Sequence, residues 1–109
     1  MLLTLLILIN LARVNPLVLD TDLSKLAQAR AEQLYKAKQW SHTGWQKSFD
    51  KTNCKYIGEN LAKDFKTAEK AHKSLMASPT HKANIINKKY TLIGLGTYKN
   101  ITVELFCGK

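Results

Sequence analysis

Two short segments, Ile57-Gly58-Glu59-Asn60-Leu61-Ala62 and Ser78-Pro79-Thr80-His81-Lys82-Ala83-Asn84-Ile85-Ile86, decide how this chain is read. Ser41-His42-Thr43 lies upstream of them and Ile93-Gly94-Leu95-Gly96 downstream. Amphipathic patterning alone demands no such series. Ser78-Pro79 reads as a helix start, with serine at the N-cap and proline at the first helical position, where its missing N–H removes nothing. Gly58-Glu59-Asn60 reads as a turn whose carboxylate and amide can accept and donate bonds to loop backbone.

Working outward, a helix is expected from about Asp20 to Gln39. Asp20 or Asp22 caps it, and Leu23, Leu26, Ala27, Ala31 and Leu34 form its apolar stripe. Trp40-Ser41-His42-Thr43-Gly44 breaks that pattern and reads as a turn. A shorter helix runs from Thr67 to Ala77, with Thr67 as cap and Ala68, Ala71 and Leu75 inward, and the Ser78-Pro79 helix follows it. Two strands, Thr91 to Lys99 and Ile101 to Cys107, meet at Lys99-Asn100 and predict an antiparallel hairpin. Helices first and strands last give an α+β domain, and 109 residues without linker or repeat give one domain, 1–109.

The order SHT, GENLA, SPxHxANI, IGxG resembles the bacterial branch of the CAP superfamily. This is the SCP-like domain shared by cysteine-rich secretory proteins, antigen 5 and pathogenesis-related 1 proteins. The resemblance covers nearly the whole chain. It implies a three-layer α-β-α sandwich around a small antiparallel sheet. It also implies a surface cleft lined by two histidines and acidic residues. His42 matches the first cleft histidine, Glu59 the glutamate of the GEN motif and His81 the second histidine. Where the family's remaining carboxylate is expected, at the end of the preceding helix, Ser78 stands instead.

Two imidazoles and one carboxylate form a suitable shell for Zn²⁺, which leaves an open position when three protein groups bind it. His42 and His81 are therefore the candidate metal ligands, and Glu59 is the candidate general base. Spacing alone does not bring them together, because the chain has no HExxH pair. The bland reading is that Glu59 fixes backbone and the histidines bond across the cleft. Ser78 beside His81 has the form of a nucleophile pair, but its helix-cap role explains it better. His72 reads as a partly exposed flank residue without function, and Trp45 and Tyr56 as packing aromatics near the cleft. There is no GxSxG and no glycine-rich phosphate loop.

Composition fits this frame. The chain is 45% hydrophobic and 23% charged, the balance of a folded globular protein. Its net charge of +9 comes from 17 basic against 8 acidic residues, and only Arg13 and Arg30 are arginines. Lysine charge favours loose contact with anionic glycans, lipids or nucleic acid, but lacks the arginine forks that read bases. No specific nucleic-acid partner is expected. The apolar start, Met1 to Ile9, is too short to span a bilayer, and it lacks a basic leader and a cleavage site. Leu5 to Arg13 instead matches the family's first helix and reads as a buried core helix. An export or lipid-anchor segment is expected to lie outside these residues, with peripheral membrane association in the longer protein.

Cys54 and Cys107 are the only cysteines and fit neither a zinc ribbon nor a CxxC motif. Two free buried thiols are one reading. The resemblance to a secreted family favours a Cys54–Cys107 disulfide, which would stabilise by ~4 kcal/mol on the chain-entropy model. The function expected is non-enzymatic binding by a monomer, outside the cell or on its surface, of an extracellular protein, glycan or lipid. The alternatives are a metal-dependent hydrolase of protein or nucleic acid, with Glu59 as base, and lipid or sterol carriage between the helices.

Overall fold

A computed structural model describes residues 1–109. In chain order it has α1 (Leu2–Leu11), β1 (Val18–Leu19), α2 (Thr21–Lys36), a 3₁₀ turn (Trp45–Phe49), β2 (Tyr56–Lys63), α3 (Ala68–Met76), α4 (Pro79–Ile86), β3 (Leu92–Tyr98) and β4 (Ile101–Gly108). The strands form one sheet in the order β1-β3-β4-β2. β4 pairs antiparallel with both β2 and β3, and the two residues of β1 pair parallel to β3. The expected hairpin is present, with Lys99 in the left-handed region at φ 55° where it turns.

Both faces of the sheet are covered, giving the α-β-α sandwich. Side chains alternate between faces along a strand. From β4, Ile101, Val103, Leu105 and Cys107 join Leu23, Ala27, Ala31 and Leu34 of α2 in one core. From β3 and β4, Ile93, Leu95 and Phe106 join Leu5, Ile9, Ala71, Leu75 and Ile85 of α1, α3 and α4 in the other. Gly94 and Gly96 explain how closely α2 lies on β3. A Cβ at Gly94 would collide with the backbone of Leu23 and Ser24, and one at Gly96 with that of Ala27 and Gln28. At that range Ser24 Oγ accepts from Leu95 N–H at 3.2 Å and Gln28 Oε1 from Thr97 N–H at 3.0 Å.

Three expectations change. The Gly58-Glu59-Asn60 segment is a strand, not a turn: all eight residues of β2 pair with β4, and that ladder outweighs the turn character of glycine and asparagine. α2 stops at Lys36, because Lys38 takes a left-handed conformation at φ 51°. α1 is not buried all round. Leu5 and Ile9 are fully buried, while Leu3 is 69% and Leu11 79% exposed, because one face packs on α3 and β3 and the other meets nothing.

Polar ties fix the ends of the elements. Asp20 Oδ2 accepts from Leu23 N–H and Thr67 Oγ1 from Lys70 N–H, as helix caps should. Arg13 donates to the carbonyls of Asn15, Ile85, Asn87 and Tyr90, clamping the end of α4 against the chain after α1. Cys54 and Cys107 are joined by a disulfide across 53 residues of sequence. It ties the segment before β2 to the end of β4.

Candidate functional site

β2 is an edge strand, and its consecutive residues Glu59 and Asn60 point to opposite faces of the sheet. This places the site: one side chain works in the α2 layer and the next in the α4 layer, around the rim of the sheet.

On the α2 side, Glu59 is almost fully buried. Arg30 Nε donates to its Oε2 at 2.9 Å and Arg30 Nη2 reaches its Oε1 at 3.4 Å. His42 Nδ1 lies 3.0 Å from the same Oε1, and its ring is half exposed. Arg30 Nη2 also donates to the Ser41 carbonyl at 3.2 Å, so one guanidinium orients both the carboxylate and the loop that carries His42.

On the α4 side, Asn60 Nδ2 donates to the His81 carbonyl and to Glu104 Oε1, each at 3.1 Å. Asn84 Nδ2 donates to Asn60 Oδ1 at 2.9 Å and reaches the Glu59 carbonyl at 3.3 Å. The first turn of α4 is thus tied to β2 beside Glu59. His81 Nδ1 sits 2.8 Å from Ser78 Oγ. Ser78 keeps the N-cap position, but its hydroxyl makes no cap bond and holds His81 instead, which departs from the expected cap role. Burial first, and the neighbouring His42 second, hold the His81 imidazole below its ordinary pKa, so it stays neutral near pH 7.

His42, Glu59 and His81 therefore gather at one edge of the sheet, but not as three ligands around a point. No three His, Cys, Asp or Glu side chains cluster as a ready metal site. Both oxygens of Glu59 are taken. What the geometry offers is a pair of imidazoles whose Nδ1 atoms are engaged, by a carboxylate and by a hydroxyl. That is how metal-binding histidines are oriented from behind, with Nε2 left to ligate. His42 and His81 would supply half of a zinc shell, and Glu59, bonded to His42 Nδ1, would orient that ring. None of the three cavities of the protein is lined by His42, Glu59, Ser78 or His81, although one lies beside Arg30, Thr43 and Gly44.

Trp45 packs edge-on against Phe49 at 5.9 Å, a packing residue as expected. Tyr56 is 38% exposed, with Lys89 Nζ 4.7 Å from its ring centre. His72 is partly buried on α3, its Nδ1 without a partner and its pKa lowered by burial. Arg30 and Glu104 were not singled out from sequence. Arg30 falls on the same helical face as Leu23, Ala27 and Leu34, and an arginine in a core stripe signals a buried acid. Glu104 interrupts the apolar strand Val103-Glu104-Leu105-Phe106, where a sheet covered on both faces leaves a charge no exit to water.

The sequence profile of the CAP family, described as the cysteine-rich secretory protein family, matches residues 10–104. The chain belongs to the CAP family. This CAP domain is 34% identical to the protein YkwD of Bacillus subtilis, in a match covering 87% of the chain and 40% of YkwD. It thus spans about 40% of that relative's length. Among solved structures, an extracellular SCP-domain protein of Bacillus anthracis superposes with a TM-score of 0.90 at 21% identity, over 98% of this chain and 40% of that one. An outer surface protein of Borrelia burgdorferi superposes with a TM-score of 0.90 at 24% identity, over 99% and 92%. At these identities the structural likeness establishes the shared sandwich.

Proposed function

We propose that this CAP domain is a monomeric binding module of an extracellular or cell-surface protein, and that its histidine pair binds without turnover. The observation that carries this reading is the state of Glu59. A general base needs a free lone pair facing the substrate. Here Arg30 and His42 occupy both oxygens, so the carboxylate serves to position His42. The extracellular part of the reading is supported by the disulfide, a bond that persists in oxidising compartments, and by neighbours described as extracellular or outer-surface proteins. No helix is long and apolar enough to cross a membrane.

Zn²⁺, if bound, would be held by the Nε2 atoms of His42 and His81, and would supply an electrophilic centre with positions open to water or a ligand. Four-ligand structural sites hold zinc by roughly 10–16 kcal/mol, and this one offers half the protein ligands, so a Kd above about 1 µM is expected. Calorimetric titration of wild type and of His42→Ala/His81→Ala tests it. The double variant should lose zinc binding and keep the melting temperature of the metal-free protein. Cleavage of casein or plasmid DNA that chelation and His81→Ala both abolish would overturn the non-catalytic reading.

A further inference from the structure

A second surface lies at the C-terminal end of α2, where the β3–β4 turn and the end of β2 come together. A cavity of about 280 Å³ opens there between Tyr35, Lys38, Gln39, Trp40, Lys63 and Asn100. Trp40 is 44% and Tyr35 42% exposed, so neither ring is consumed by the core. Lys63 Nζ stands 5.5 Å from the centre of the Trp40 ring. The Tyr35 ring meets Tyr98 edge-on at 5.5 Å, and Lys36 and Lys99 each stand 5.8 Å from the centre of the Tyr98 ring. Three aromatic rings and four lysines thus form one continuous strip. The acid beside it, Asp64, accepts a hydrogen bond from Asn100.

We infer that this strip binds an anionic polysaccharide. The flat apolar face of a sugar ring stacks on an exposed aromatic ring, and the amides of Gln39 and Asn100 match sugar hydroxyls. A lysine held over an aromatic ring is a cation already placed beside the stacking surface, so a sulfated or carboxylated sugar meets both contacts at once. The cavity is at the small end of ligand pockets and takes one or two rings at a time, so affinity builds along a repeating polymer. Both arginines are buried elsewhere, which removes the usual base-reading side chain from this face. Lys63 stands four residues, about 13 Å, along β2 from Glu59, while Trp40 lies two residues before His42, and the strip itself includes neither histidine.

The test is a binding titration of immobilised dextran sulfate against wild type, Trp40→Ala, Lys38→Ala/Lys63→Ala, a control pair Lys70→Ala/Lys73→Ala on α3, and His42→Ala/His81→Ala. Neutral dextran, poly-glutamate, oligothymidylate and phosphatidylglycerol vesicles serve as comparison probes. Trp40→Ala and Lys38→Ala/Lys63→Ala should each weaken dextran sulfate binding about tenfold or more, roughly 1.4 kcal/mol. The α3 pair should change it less than about threefold, and the histidine pair should leave it unchanged. Trp40→Phe, which keeps a stacking face, should retain most of the affinity, guarding against a folding artefact. Equal binding of poly-glutamate and dextran sulfate would overturn the proposal in favour of plain charge. Tighter binding of oligothymidylate or of vesicles, or no loss in Trp40→Ala, would overturn it as well.

Discussion

At Glu104 the folded protein holds a carboxyl whose Oε1 accepts from Asn60 and whose Oε2 has no partner. Burial raises its pKa to about 7, against an ordinary 4.5, and the Asn60 bond offsets only part of this. Between those two values the folded state keeps a proton that the unfolded chain gives up. Stability therefore falls as pH rises through this window and levels off above pH 7. The whole effect is about 3 kcal/mol. Glu104→Gln, which copies the neutral acid, should match wild type near pH 4 and unfold at higher urea near pH 8. Equal midpoints at both pH values would show that Glu104 ionises without penalty. Arg30 behaves oppositely, since its charge is needed. Arg30→Ala leaves Glu59 buried with only the His42 ring beside it and should lower stability by about 3–5 kcal/mol. The double variant Arg30→Ala/Glu59→Gln should recover part of that loss in urea unfolding. Each group left a mark in the sequence, an arginine in an apolar stripe and a glutamate in an apolar strand, but not its partner. A buried charge is defined by what the opposite layer places beside it, whereas His42 and His81 sit inside motifs that name them directly.

Among the elements, β2 and α2 show where local patterning succeeds and where it fails. The stripe of α2, its Asp20 cap and the β3–β4 hairpin follow from periodicity, because each depends on neighbours within a few residues. β2 was legible only as a polar turn. Its strand character comes from β4, far away in sequence, which supplies the backbone partner for every one of its positions. Gly94 and Gly96 carried a motif in the sequence without a reason attached. The reason is the backbone of α2 lying where a Cβ would stand. Gly96→Ala should push α2 off β3, disturb the Gln28–Thr97 bond and lower unfolding stability by roughly 1–3 kcal/mol. A Gly96→Ala protein as stable as wild type would show that the helix shifts freely on the sheet.

For the whole molecule, two cores share one sheet, and the disulfide closes the loop that contains β2, α3, α4 and β3. On the chain-entropy account its removal should lower stability by ~4 kcal/mol, a large share of the roughly 5–15 kcal/mol typical of a domain. Cys54→Ala/Cys107→Ala should still fold, with an earlier urea midpoint. A midpoint unchanged from wild type would show that the two cores alone set the stability. The pairing itself was legible only through family resemblance, since two isolated cysteines carry no address.

The two arginines have a further consequence. Arg13 and Arg30 are spent on carbonyls and on Glu59 inside the fold, so every permanent side-chain cation facing solvent is a primary amine. Amines can be acylated and guanidinium groups resist it, so acetylation of the lysines would neutralise the outer charge while leaving both internal clamps intact. The protein would then migrate toward the opposite electrode in an electric field with its architecture preserved. Its outward electrical character and its internal cohesion rest on different functional groups, and ordinary chemistry can separate them.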